Sequence, residues 1–202
     1  MRKIGVVVAV VVLGGALVGC GSGEDKNAGV KTPASVTTQA SSVTPTTPAA
    51  SKPAGKVFTS PDGYSFVPPV GWTNYPAGAA GGISVMFIAP ELDKAAKFSD
   101  NINVVVNANR KDLEATVSET KRALPTVLTK YQVTVDEPIT AGDQEAHLLG
   151  GTFDQGTFHL QNLQLFFITG GKQYTATFTC PEASFAKLRA KAQASLLTLR
   201  AA

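Results

Sequence analysis

Apolar and polar positions divide the chain into three stretches with different rhythms. From Ile4 to Val18 every position is apolar or glycine, directly behind the positive pair Arg2 and Lys3. From Gly21 to Gly55 the apolar signal vanishes: the stretch has no aromatic residue and no Leu, Ile or Met. From Phe58 onward, alternation and helical spacing return, and all ten Phe, four Tyr and the one Trp lie there.

Within the third stretch the pattern predicts a series of elements. Val57-Phe58-Thr59 and Tyr64-Ser65-Phe66-Val67 read as a hairpin turned by Ser60-Pro61-Asp62-Gly63, with proline and glycine at favoured turn positions. Pro68-Pro69 stops the second strand, and Gly71-Trp72 and a loop from Pro76 to Gly82 follow. Ile83 to Ala89 and Ile102 to Val106 are rich in β-branched residues and predict strands. Between them, Ala89 to Asn101 is polar, with room for a short helical turn. Leu113, Val117 and Leu124 fall near helical spacing and predict a helix over Asp112 to Leu124, ended or kinked by Pro125.

Four strands complete the sheet. Tyr131 to Val135 alternates, and Ala146 to Phe153 carries Gly150-Gly151, a signal of a bulge or close backbone approach. Phe158 to Phe167 reads as a long strand with a shift of face near Asn162. Gly170-Gly171-Lys172 turns the chain into Gln173 to Cys180. Pro181 then opens a last helix, with Phe185, Leu188, Ala192 and Leu196 as its inward stripe. Hairpin, strands, helix, four-strand meander and closing helix together predict an α+β fold, a mostly antiparallel sheet with helices packed on it.

Composition separates the working domain from what precedes it. The Thr/Ser/Pro/Ala/Gly-rich segment cannot bury enough apolar surface to offset chain entropy, so residues 20–55 are expected to be a disordered linker. A coil of that composition and length reaches about 30–35 Å, the scale of a spacer between a membrane and a folded domain. Residues 56–202 form one domain of ordinary size. The formal charge of +3 belongs to the first stretches: from Lys56 onward there are 13 Lys+Arg and 13 Asp+Glu. Without a basic excess or a Lys/Arg cluster, nucleic acid is not an expected partner.

Leu17-Val18-Gly19-Cys20 closes the first apolar run and resembles the lipobox of bacterial lipoproteins. Ile4 to Val18 has the length of a signal-peptide core and is short of the roughly 20 apolar residues a spanning helix needs. The resemblance implies that residues 1–19 are a signal peptide and that Cys20 is lipidated on sulfur after cleavage. More than one acyl chain is needed for stable attachment, at about 0.8 kcal/mol per buried CH₂. The resemblance implies a diacylglyceryl group there, often with a third chain. With Cys20 so used, Cys180 has no second cysteine for an internal disulfide. Its place at the end of an alternating strand predicts a packed structural thiol.

Several features in order resemble one family. They are the lipobox at Cys20, the Thr/Ser/Pro linker and Phe66-Val67-Pro68-Pro69-Val70-Gly71-Trp72. The Gly150-Gly151 strand and Tyr174-Thr175-Ala176-Thr177-Phe178-Thr179-Cys180-Pro181-Glu182 before the last helix complete the set. Together they resemble the LpqN/LpqT-type lipoproteins of mycobacteria and their actinobacterial relatives, which adopt a PsbP-like α/β/α sandwich. That resemblance implies a non-enzymatic envelope protein at the extracytoplasmic face of the cell membrane. It also implies an envelope protein or glycolipid as partner, and supplies no catalytic residue and no cofactor.

Chemistry-bearing motifs are sparse. There is no Gly-x-Ser-x-Gly elbow and no His-Glu-x-x-His pair. Gly78-Ala79-Ala80-Gly81-Gly82 lacks the Gly-Lys-Ser/Thr ending of a phosphate loop. His147, His159 and Asp154 lie on expected neighbouring strands. They define the rival reading, a hydrolase or transferase acting on wall or lipid material. No metal site is expected, because three or four ligands are normally required. For recognition, aromatic residues concentrate near the start of the domain. Trp72, with Tyr75 and Tyr64, is the expected contact for a ligand or partner, since aromatic anchors often dominate interfaces.

Overall fold

The computed structural model describes residues 55–75, 82–91 and 97–202. The expectations for the signal peptide, Cys20 and the linker lie outside these residues, as do those for most of the Pro76–Gly82 loop and for residues 92–96.

The first hairpin forms as read: β1 (Phe58–Ser60) pairs antiparallel with β2 (Tyr64–Phe66), and the turn hydrogen bond runs from Gly63 N to Ser60 O. Pro68-Pro69 follows without strand structure. A tight turn then closes with Trp72 N donating to Pro69 O at 3.1 Å. Gly71 takes φ +85° there, the positive φ demanded at the third position of a type II turn. The chain next enters a strand that the pattern did not announce, β3 (Thr73–Tyr75). β4 (Ile83–Ile88) and β5 (Asn101–Ala108) follow close to the predicted strands.

Helix α1 (Leu113–Val127) begins on Asp112, whose Oδ1 accepts from Ala115 N at 2.7 Å. It does not stop at Pro125. The proline gives up only the bond to the Lys121 carbonyl. It sits in the last turn, where buried Leu124 anchors the helix and accepts from Leu128 N at 2.9 Å. The meander β6 (Thr129–Ala141), β7 (Gln144–Gln155), β8 (Phe158–Thr169) and β9 (Lys172–Pro181) leads into α2 (Glu182–Leu196) and a short β10 (Arg200–Ala201).

Seven strands form one antiparallel sheet in the order β3-β4-β5-β9-β8-β7-β6, and β1-β2-β10 form a second. One face of the large sheet carries Ile102, Val104, Leu163, Leu165, Phe167, Ala176 and Phe178 against Phe185, Ala192 and Leu196 of α2, with Tyr64 and Phe66 of the hairpin in the same core. The other face carries Leu149, Phe153, Leu160 and Phe166 beside Leu124 of α1. This explains the apparent shift of face in β8. The strand pairs regularly with both neighbours, and alternate residues supply opposite cores, so polar alternation is lost without any bulge in β8. Helices on both faces of the sheet make the fold an α/β/α sandwich.

β6 runs well beyond Tyr131–Val135 and through Pro138. It is the sheet's outer strand, where a missing N–H is tolerated.

Candidate functional site

Two open grooves carry the surface chemistry that recognition would use. The first, about 490 Å³, is built around the Pro-Pro-x-Gly-Trp turn. Phe58 and Phe87 form its inner wall, with ring centroids 5.4 Å apart in an edge-to-face contact. Pro68, Pro69 and Trp72 continue the lining, and Val57 and Val70 on its rim are 67% and 59% exposed. The Gly71 turn brings Trp72 back onto the core, 6.3 Å from the Phe178 ring, while leaving part of the indole at the groove.

The three aromatic candidates do not share this site. Tyr75 is 39% exposed but pairs with Met86, on the opposite face of β3 from Asn74, which lines the groove opposite Phe87. Tyr64 has no exposed surface; its hydroxyl meets Ser84 Oγ at 2.8 Å and burial pushes its phenol pKa up. Tyr64 therefore supports the hairpin from inside rather than facing a partner. Cys180 is buried in the α2-side core, as the alternating pattern predicted.

The second groove, about 750 Å³, lies between α1 and the β6–β7 pair. Leu113 and Val117 line it on the helix side, and Ile139 and Ala146 on the sheet side. Across it Lys121 Nζ donates to Asp136 Oδ2, and His147 Nε2 lies 2.7 Å from Asp136 Oδ1. The Lys121 ammonium holds the Asp136 carboxyl below the usual carboxylate range, with His147 adding to the effect and partial burial opposing it. Lys121 and Asp136 carried no signal in the sequence, because nothing local announces that a helix and an outer strand will meet at these positions.

His159 and Asp154 are cross-strand partners 2.5 Å apart (Nδ1 to Oδ1), with Lys130 Nζ 2.7 Å from the other carboxylate oxygen. The Lys130 hydrogen bond, then His159, holds Asp154 below the usual range. His147 belongs to a different cluster. It stands seven residues from Asp154 along β7, about 23 Å at 3.3 Å per residue. The cluster of His147, His159 and Asp154 expected by the catalytic reading does not form. Among the described residues no three His, Cys, Asp or Glu side chains gather where they could hold a metal ion. Nor is any described helix long and apolar enough to cross a membrane.

No family model matches the sequence, and no curated protein matches it. Solved structures do. Cyanobacterial PsbP (CyanoP) from Synechocystis sp. PCC 6803 superimposes with a TM-score of 0.59 at 18% identity, over 73% of this chain and 92% of that one. The fold is PsbP-like. LpqN of Mycobacterium tuberculosis, described as involved in cell envelope biogenesis, gives 0.51 at 14% identity over 67% and 81% of the two chains. A Bacteroides thetaiotaomicron protein gives 0.53 at 17% identity, over 73% of this chain and 48% of that one. On this PsbP-like sheet the histidine clusters are separate carboxylate-paired sites at the surface. The Trp72 groove is an apolar recess with a greasy rim. Lys56 and Asn74 are the polar side chains among its lining residues.

Proposed function

We propose that this chain is a non-enzymatic cell-envelope lipoprotein, anchored through lipid on Cys20 at the extracytoplasmic face of the cell membrane. Its domain binds an envelope protein or an apolar or glycolipid ligand at the Trp72 groove. The observation that carries this reading is the groove itself: aromatic walls and exposed Val57 and Val70 gather in one recess. A solvent-facing apolar cluster of this kind is the usual mark of a contact site. The separation of His147 from His159 and Asp154 favours binding over the hydrolase or transferase alternative. The likeness in fold to LpqN, a protein involved in cell envelope biogenesis, agrees with the envelope setting.

Two variants test the two halves of this reading. Cys20→Ala should abolish incorporation of labelled lipid and release the protein from the membrane fraction; unchanged retention refutes the anchor. Trp72→Ala should strip away the lipid or protein that co-purifies with the chain from its native host, as read by mass spectrometry. An identical co-purifying set would remove the groove from the binding surface.

A further inference from the structure

We infer that the Trp72 groove docks onto the anionic phospholipid surface that holds the chain's own anchor. The inference rests on the lipid-anchor reading above for its proximity to the bilayer.

Three observations meet at this groove. The first is where the chain arrives. Gly55 and Lys56 line the groove, so the 34 residues that follow Cys20 lead into its edge. A coil of that composition reaches about 30–35 Å, so the anchor keeps the groove within range of the bilayer at high local concentration. The second is charge. Lys56 is the only ionisable side chain among the lining residues, and no carboxylate lines the groove. A domain that is neutral as a whole thus presents a patch that anionic headgroups attract and do not repel. The third is the rim. Val57 and Val70 stand on it with more than half their surface exposed, and Trp72 lines the groove while packing against the core. Tryptophan beside exposed aliphatic groups is the residue set that settles at the headgroup–acyl boundary. A partner protein could use the same apolar walls. The arrival of the anchor chain and the single positive charge favour the membrane.

The sequence supplies its own probe, since Trp72 is its one tryptophan. The mature chain, made without lipid, is coupled through the Cys20 thiol to a maleimide-headgroup phospholipid in vesicles. Cys180 is buried, which leaves Cys20 as the reacting thiol. The vesicles contain phosphatidylglycerol and phosphatidylcholine, with bromine on the acyl chains as a contact quencher. Docking predicts quenched, blue-shifted Trp72 emission. It also predicts several-fold weaker quenching when phosphatidylglycerol is left out. Combining Val57→Asp with Val70→Asp should remove the quenching while leaving circular dichroism and thermal midpoint unchanged, because both side chains face solvent. Unquenched Trp72 in the coupled, folded protein overturns the inference. So does quenching that the double variant does not reduce. An unquenched Trp72 whose emission shifts on adding solubilised envelope protein gives the groove to a protein partner instead, and also overturns it. Because the anchor is supplied chemically, each of these failures is distinct from failure of native Cys20 lipidation.

Discussion

Gly151 has no room for a side chain. A Cβ there would stand 2.5 Å from the Gln132 carbonyl oxygen and 2.5 Å from Tyr131 Cζ. Gly150 is nearly as tight, with the Asn162 carbonyl oxygen 2.7 Å from its would-be Cβ. The glycine pair lies where β6 carries one more residue than β7, the register slipping between Val133 and Val135. The bulged strand folds closely over the flat one. Gly156 is a useful contrast: it needs φ +60° but has nothing within 4 Å of a would-be Cβ. Gly151→Ala should therefore destabilise the domain by about 1–3 kcal/mol through overpacking against backbone and a buried ring. Gly156→Ala should lose about 1 kcal/mol from backbone strain alone. Urea unfolding midpoints measure both, and equal losses would contradict the close approach. The sequence announced a crowded spot at Gly150-Gly151, because glycine in a strand has few other uses. It did not announce Tyr131 as the crowding group, since that depends on a register set by the bulge in the partner strand.

Between elements, the contact that ties α1 to the sheet is electrostatic as well as apolar. Lys121 reaches from the helix to Asp136 on β6, and His147 reaches the same carboxylate from β7. The folded Asp136 pKa is lowered, with the Lys121 hydrogen bond the largest cause. A lowered folded value means that the contribution is complete above the unfolded carboxylate value, about 3.9. It is lost as pH falls through the folded value. Asp136→Asn should be less stable than the parent at pH 7, and the gap should narrow as pH drops below about 4. A gap that stays constant down to pH 3 in urea titrations would place the clamp outside the stability of the fold. Elements themselves were legible where their periodicity was strong: the first hairpin, the meander and both helices lie near their expected places. The errors share one cause. Of the two expectations at Pro125, an end or a kink, the end is not what forms: tertiary burial of Leu124 carries the helix past it. The β6 strand was cut short before Pro138, although an outer strand does not need that N–H. Local pattern reports what a segment prefers alone, and packing against a neighbour overrides it at the ends.

At the scale of the molecule, the two ends of the domain are joined to each other. β10 pairs with β2 through Arg200 with Ser65 and Ala201 with Tyr64, and Ala202 N donates to Gly63 O at 3.0 Å. Thr198 Oγ1 accepts from Val67 N at 2.7 Å, and Ser195 Oγ donates to Val67 O. Arg200 also donates to the carbonyls of Leu197 and Leu199, and its guanidinium lies over the β6–β7 turn at Gly142. The hairpin that supports one wall of the Trp72 groove is thus completed by residues 195–202. None of this was readable from Arg200-Ala201-Ala202, which is too short to show any period. Deleting those three residues should destabilise the domain by on the order of 2–4 kcal/mol, from several hydrogen bonds worth about 1 kcal/mol each. The loss should also be uneven. Amides of β1, β2 and the Trp72 turn should exchange faster, while those of β7, β8 and β9, held in the middle of the sheet, keep most of their protection. Hydrogen exchange read by mass spectrometry separates the outcomes. If every strand loses protection equally, the hairpin is an inseparable part of one cooperative core. If the hairpin and the Trp72 turn alone loosen, that wall of the groove depends on the pairing of Arg200 with Ser65.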